Sequence, residues 1–233
     1  GMTTRVVLIG PGRLGREIVA LAPQRDCEIV RVLGRDDAVT PDALAGADVA
    51  IDTSLAEAVP AHLGAALTAR VPLVIGTTGW QGHEAELRMR AGDAGGAVLA
   101  APNFSIGVAL FATLVRDAAA RLVPRVGFDA HLVETHHTAK RDAPSGTAIH
   151  LARIAAEARG AELPVTSVRV GSVPGTHALV FDAPFEQVTL VHEARDRRVF
   201  ADGALLAARW LPGRIGWFTM EDVVRDVVGG SPA

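Results

Sequence analysis

Near its start the chain carries a short, largely apolar run, Arg5 to Ile9. A run of that length rich in β-branched residues predicts a strand buried on both faces. It passes directly into Gly10-Pro11-Gly12-Arg13-Leu14-Gly15. A helical pattern follows, with Leu14, Ile18, Val19 and Ala22 expected on one face and Pro23 as its stop. Further apolar runs predict strands over 28–33, 48–52, 72–75 and 97–100. Helices are predicted between the later ones, over 55–69 and 81–94. Strands alternating with helices imply a parallel sheet covered on both faces.

After a helix predicted over 106–123 the pattern changes. Residues 129–134 alternate apolar and polar, the period of a half-buried strand. A helix over 147–156 and strands near 165–171, 177–182 and 187–194 follow, then a helix over 201–211. Strands without intervening helices predict a mixed or antiparallel sheet. The expected fold class is α/β: an N-terminal Rossmann-like dinucleotide-binding domain plus a smaller α+β domain. The expected boundaries are 1–102, completed by 213–233, and 103–212.

Composition narrows the function classes. With 233 residues the chain holds one large domain or two small ones. Its apolar runs are too short to span a bilayer, and no charged segment precedes an apolar one at the start. A single cysteine, Cys27, permits no internal disulfide and points to a reducing compartment, with a cytoplasmic location expected. A formal net charge of −3 and the absence of tyrosine argue against a nucleic-acid surface.

Strand, glycine turn and helix together give G-x-G-x-x-G its meaning. Gly10 permits the tight turn, Gly12 lets backbone approach a pyrophosphate, and Gly15 lets helix and strand pack closely. The end of the second strand reads Leu33-Gly34-Arg35-Asp36-Asp37. Arg35 suits a ribose 2′-phosphate and Asp36 a 2′-hydroxyl, so NADPH or NADH is expected, with a lean towards NADPH. Two further turns, Gly76–Gly79 and Pro102–Gly107, fall at strand ends on the ligand side of such a sheet.

The densest chemistry lies in the stretch Glu134–Thr147. Lys140 is the only lysine among 23 basic residues. Lysine is a compact, tunable ammonium where arginine is a fixed charge. His136 and His137 follow a strand, and adjacent residues on extended chain point opposite ways, so one of the two faces a ligand. Ser145-Gly146-Thr147 at a helix start gathers hydroxyls and N–H groups suited to a carboxylate. Arg197 or Arg198 would add a bidentate cation. Glu134, His136 and His137 do not match zinc-site spacing, so no metal is expected. A nucleotide fold, a proton donor and a carboxylate pocket together imply hydride transfer to a small anionic carbonyl or imine.

Glu134-x-His136-His137-x-x-Lys140-x-Asp142-Ala143-Pro144-Ser145-Gly146-Thr147-Ala148 resembles the signature of the 4-hydroxy-tetrahydrodipicolinate reductase family of the bacterial lysine and diaminopimelate pathway. Ile75–Gly79, Pro102–Gly107, Phe200–Ala204, Trp210-Leu211 and Gly216–Val223 are similar to it as well. The resemblance implies reduction of a cyclic, dicarboxylate, α,β-unsaturated imine by hydride delivery to C4. It makes His136 the general acid and Lys140 its catalytic companion. His137, Ser145, Gly146, Thr147 and Arg197 would bind substrate. Gly10, Gly12, Arg13, Leu14, Gly15 and Arg35 would bind the cofactor, with Gly76, Thr78, Ala101, Asn103 and Phe104 bordering the nicotinamide. It further implies a cytoplasmic homotetramer. Ile9 stands where the family's first turn glycine falls, and Thr53 where it carries phenylalanine. Two alternatives are another small NAD(P)-dependent dehydrogenase of the amino-acid dehydrogenase type, which explains the glycine turn but not His136–Thr147, and a non-catalytic NAD(P)H sensor, which would not need Lys140.

Overall fold

The computed structural model describes residues 2–229. The chain divides into two compact units, one running to Ile106 and resuming at Arg198, the other covering Gly107–Arg197.

In the first unit, β1 (Thr4–Ile9) lies between β2 (Cys27–Leu33) and β3 (Val49–Asp52). The sheet continues through β4 (Leu73–Ile75) and β5 (Ala97–Ala100) to an edge strand, β10 (Gly216–Phe218). Every pairing in it is parallel. Parallel strands are covered on both faces and so read as unbroken apolar runs. Val6 through Ile9 are accordingly buried. From β1 the chain goes to β2 on one side and then crosses to β3 on the other, so the carboxyl ends of β1 and β3 form the switch point where such sheets bind ligands.

Helix α1 (Arg13–Leu21) follows the glycine turn. Ile18 and Ala22 are buried as expected, but Val19 is 37% exposed, because it lies about 100° round the helix from Ile18. The helices expected over 55–69 and 81–94 each begin with a 3-10 turn, giving α3 (Val59–Ala69) and α4 (Glu84–Asp93). Pro60 sits in the first turn of α3, where a missing N–H costs nothing. A one-turn helix, α2 (Pro41–Leu44), also forms; Ala43 N donates to Thr40 Oγ1 at its start (3.1 Å). The pattern did not suggest it. Near the C-terminus α7 (Arg198–Trp210) packs on α1, and α8 (Met220–Gly229) packs on α7.

The second unit holds α5 (Ile106–Arg121), most of which lies in it, β6 (Asp129–His136), α6 (Gly146–Arg159), β7 (Val165–Arg169), β8 (Thr176–Ala183) and β9 (Glu186–Glu193). Its sheet is mixed, ordered β7-β6-β8-β9, with only the β6–β7 pairing parallel. The core of this unit joins Phe111 and Val115 of α5, Leu151 and Ile154 of α6, and Leu132, Leu179 and Phe181 of the sheet. On β6 the buried face is Ala130, Leu132, Glu134 and His136. The core-facing row therefore ends in two ionisable groups at the carboxyl end of the strand.

Among the described residues no helix is long and apolar enough to cross a membrane.

Candidate active site

The first unit carries a cavity of about 470 Å³ at the switch point. Its walls are the β1–α1 turn, the segment after β2, and the segment after β3. Gly10 has φ +93°, and a Cβ there would stand 2.8 Å from the backbone of Thr53 and Ser54. A Cβ on Gly15 would meet the Gly10 carbonyl oxygen at 2.3 Å. Both contacts require glycine. Gly12 differs: a Cβ there would meet nothing within 4 Å. Gly12 is also the N-cap of α1, and no side chain caps the helix start. A bare glycine facing open space at an uncapped helix N-terminus fits a dinucleotide pyrophosphate.

Arg13 and Arg35 are exposed, and Leu14 is half-buried. Arg35 lines the cavity with Asp37, whose Oδ2 accepts from Gly34 N (2.7 Å). That acceptor braces the loop. Asp36, the residue expected opposite a 2′-hydroxyl, is exposed and does not line the cavity. Gly76 N donates to Asp52 O (2.8 Å), and Thr78 beyond it is exposed. A Cβ on Gly76 would meet the Phe104 ring at 2.5 Å. Phe104 is only 2% exposed, so its ring packs beneath that turn. Ala101 is buried, and Asn103 Oδ1 accepts from Ser105 N (2.8 Å).

In the second unit the network centres on Glu134, which is fully buried. One of its carboxylate oxygens, Oε2, is hydrogen-bonded to His136 Nδ1. The other, Oε1, accepts from the Arg169 guanidinium (2.8 Å) and from Ser145 N (3.4 Å). Burial alone would raise the Glu134 carboxyl, but hydrogen bonds from Arg169 and Ser167 and the neighbouring His136 outweigh it and hold it at about 2. Glu134 is therefore an anion at neutral pH. With that anion as acceptor, the neutral His136 ring keeps its proton on Nδ1, and Nε2 is the nitrogen left to exchange a proton. Burial lowers His136, with Lys140 and Arg169 adding to the effect, while Glu134 works against it. Gly175 lies beside the ring, and a Cβ there would stand 3.0 Å from Nε2.

His177 lies opposite Glu134 across β6 and β8 and meets the His136 ring edge-on at 5.3 Å. Burial, the charge of His136 and smaller effects push it down to about 4. Its Nε2 contacts Ser145 Oγ (3.3 Å). Ser145 is the N-cap of α6, with Oγ accepting from Ala148 N (3.1 Å). Gly146 is exposed and Thr147 half-buried at the same helix start. Lys140 Nζ donates to both oxygens of Asp142, at 2.8 and 3.0 Å. Burial would raise Asp142, but the hydrogen bond and charge of Lys140 hold it below the usual range.

The structure thus brings His136 and Ser145 to Glu134, with Gly146 and Thr147 following Ser145 at the start of α6. His137 is half-buried just past the end of β6, and its carbonyl accepts from Lys140 N (3.1 Å). Arg197 is half-buried beyond β9, with Nε lacking a hydrogen-bond partner. Arg198 begins α7 in the other unit. The cation that contacts the network is Arg169, placed by β7 opposite His136. The spacing of Glu134, His136 and His137 suggests no metal site; the fold brings a different third residue to the pair, with ligand atoms of Glu134, His136 and His177 within 4.8 Å of one another. Arg169 already occupies one oxygen of that carboxylate.

A family model described as "Dihydrodipicolinate reductase, N-terminus" matches residues 4–104, and "Dihydrodipicolinate reductase, C-terminus" matches 107–224. The chain is 39% identical over 250 residues to the 4-hydroxy-tetrahydrodipicolinate reductase of Zymomonas mobilis subsp. mobilis, covering 95% of this chain and 97% of that one. It is 43% identical over 211 residues to the enzyme of the same name from Gluconobacter oxydans, covering 82% and 83%. Among solved structures it is similar to a dipicolinate-bound dihydrodipicolinate reductase from Paenisporosarcina sp. TG-14, with TM-score 0.81 at 25% identity over 95% of this chain and 99% of that one. A probable dehydrogenase from Thermotoga maritima shares the fold at TM-score 0.63 and 10% identity.

Proposed function

The chain belongs to the dihydrodipicolinate reductase family, and on that premise we propose the residue roles that carry out its reaction. It is an NAD(P)H-dependent oxidoreductase that reduces the cyclic imine formed from 4-hydroxy-tetrahydrodipicolinate to tetrahydrodipicolinate. A nicotinamide cofactor held by the glycine turn of the first unit would supply the hydride, to C4 of the conjugated ring. The protein must then supply one proton, hold two carboxylates and fix the ring's orientation.

His136 gives the proton from Nε2, with Glu134 fixing the ring through Nδ1. The free His136 ring is mostly neutral at pH 7, because burial lowers it. A dianionic substrate beside it favours the protonated form and so loads the acid when it is needed. Lys140 takes one substrate carboxylate by exchanging it for Asp142, a swap of like for like. The N–H groups of Gly146 and Thr147 at the start of α6, favoured by the helix dipole, take the other. His137 and Arg197 complete the substrate set. The observation that carries these roles is the buried Glu134–His136 pair braced by Arg169.

Gly10, Gly12, Arg13, Leu14 and Gly15 hold the pyrophosphate, and Arg35 the adenosine ribose. Gly76, Thr78, Ala101, Asn103 and Phe104 border the nicotinamide. An exposed Arg35 on the cavity wall, beside an Asp37 already committed to Gly34, favours NADPH over NADH. A homotetramer built through the open face of the second sheet is supported by Val191, 55% exposed and aligned with Ala178 and Val133 on that face. Light scattering reads that state directly.

The deciding experiment follows NADPH and NADH oxidation with freshly generated pathway intermediate. Turnover with at least one cofactor is expected, and NADPH is expected to have the lower KM. Absence of oxidation with both would overturn the assignment.

A further inference from the structure

The segment after β3 carries a polar cluster that the proposed roles leave unused. Asp52 is fully buried at the end of the strand. It accepts from Ser54 N (2.9 Å), Ser54 Oγ (2.5 Å) and Thr77 Oγ1 (3.4 Å), and pairs with His62 Nδ1 at 2.7 Å. A buried carboxylate is tolerated only when its lone pairs are used in this way. His62 stands in the first helical turn of α3, so the pair ties that helix to the strand.

A tie alone needs a single donor. Histidine brings a second polar nitrogen, Nε2, on the far edge of a ring whose orientation Asp52 fixes. Nε2 has no hydrogen-bond partner among the described residues, and it is not a sealed, buried atom. His62 and Ser54 line the same cavity as Gly10, Gly12 and Arg35. The cluster is also close to the glycine turn, since a Cβ on Gly10 would touch the Ser54 backbone at 2.8 Å.

We propose that His62 is a cofactor-contacting residue that offers Nε2 to the sugar–phosphate backbone of the dinucleotide's adenosine half, with Asp52 as its positioning residue. The inference rests on the switch-point cavity being the dinucleotide site. The adenosine half follows from the cavity walls: the phosphate-binding turn stands on one side and the segment after β2, where the adenosine ribose lies in such folds, on another. Neutral His62 accepts from a ribose hydroxyl, and protonated His62 donates to a phosphate oxygen.

Two substitutions separate contact from tie, because their amides overlay different ring nitrogens. In His62→Asn the amide falls near Nδ1, keeping the Asp52 bond and losing Nε2. In His62→Gln the amide reaches the Nε2 position and loosens the bond to Asp52. Dissociation constants for NADPH, NADH and ADP are measured by calorimetry, with thermal melting alongside. His62→Asn is expected to melt near wild type and to bind all three about tenfold more weakly, the size of one hydrogen bond. His62→Gln is expected to melt lower yet stay within about threefold of wild-type affinity. Wild-type affinity in His62→Asn would overturn the contact and leave a structural tie. Loss confined to NADPH and NADH, with ADP unaffected, would overturn the adenosine-half assignment. A wild-type protein binding none of the three ligands would overturn the cavity's role as well, so the wild-type titration tells the two failures apart.

Discussion

His136 Nδ1 is hydrogen-bonded to Glu134, two residues earlier on the same face of β6. A strand's period of two places both side chains inward, and the second residue fixes which nitrogen of the first is left for chemistry. Glu134 also favours the protonated ring. Replacing Glu134 with Gln removes that charge and frees the tautomer. Turnover is expected to fall about 100-fold, the scale of a lost general acid. As pH rises, kcat falls where His136 loses its proton; in Glu134→Gln that fall is expected at lower pH. A pH–kcat profile checks both.

His136→Ala and Lys140→Ala should each lose most turnover while the dissociation constant for NADPH changes little, because both residues lie outside the nucleotide unit. Lys140→Arg is not expected to rescue. Lys140 holds both Asp142 oxygens through one compact ammonium, and a planar guanidinium presents different geometry. Steady-state kinetics beside fluorescence titration of cofactor separates the two effects.

Arg35→Ala is expected to raise the KM for NADPH about tenfold and leave that for NADH within about twofold, the loss of one charge-assisted hydrogen bond to a phosphate. Equal effects on the two cofactors would remove Arg35 from the 2′ position.

These roles were unevenly legible in the sequence. Val6–Ile9 and the glycine turn announced themselves because a buried parallel strand is continuously apolar and its turn demands glycine. The alternation over 129–134 announced a strand leading into the histidines, but that Glu134 and His136 share its inward face shows only because β6 runs on to His136. What escaped was Arg169 and His177. Each meets the pair through strand register, Arg169 opposite His136 on β7 and His177 opposite Glu134 on β8, and no local spacing encodes which strand will be neighbour. Asp52 and His62 escaped for a related reason. Their contact depends on how α3 docks against β3 after a 3-10 turn that the helical pattern ran through.

His177 makes stability depend on pH. Its folded value is pushed down to about 4 from an ordinary 6.5. Below 6.5 the unfolded chain binds a proton that the folded protein refuses, so stability is full above pH 6.5 and is lost as pH falls towards 4. The loss is on the order of 3 kcal/mol at most, from about 1.4 kcal/mol per pH unit. Glu134 adds its own loss only lower, between 4.5 and about 2. His177→Gln keeps a polar group near Ser145 but cannot take up the proton. Its melting temperature should fall less than that of wild type between pH 7 and 4.5; parallel curves would assign the acid sensitivity elsewhere.

Gly10 and Gly12 stand two residues apart and should fail in different ways. Gly10→Ala forces a side chain onto φ +93° and into the Thr53–Ser54 backbone at 2.8 Å. It is expected to destabilise the fold by a few kcal/mol, from strain and overpacking together. Gly12→Ala meets no protein atom within 4 Å, so its melting temperature should match wild type. If the space over Gly12 is where a pyrophosphate lies, the same methyl stands in the ligand's way. Cofactor affinity should then fall at least tenfold in a protein of unchanged stability, since the backbone N–H groups lose their approach to the phosphates. Thermal melting and NADPH titration on the two variants give opposite patterns, and a Gly12→Ala protein that binds NADPH as wild type does would place the phosphates away from this turn.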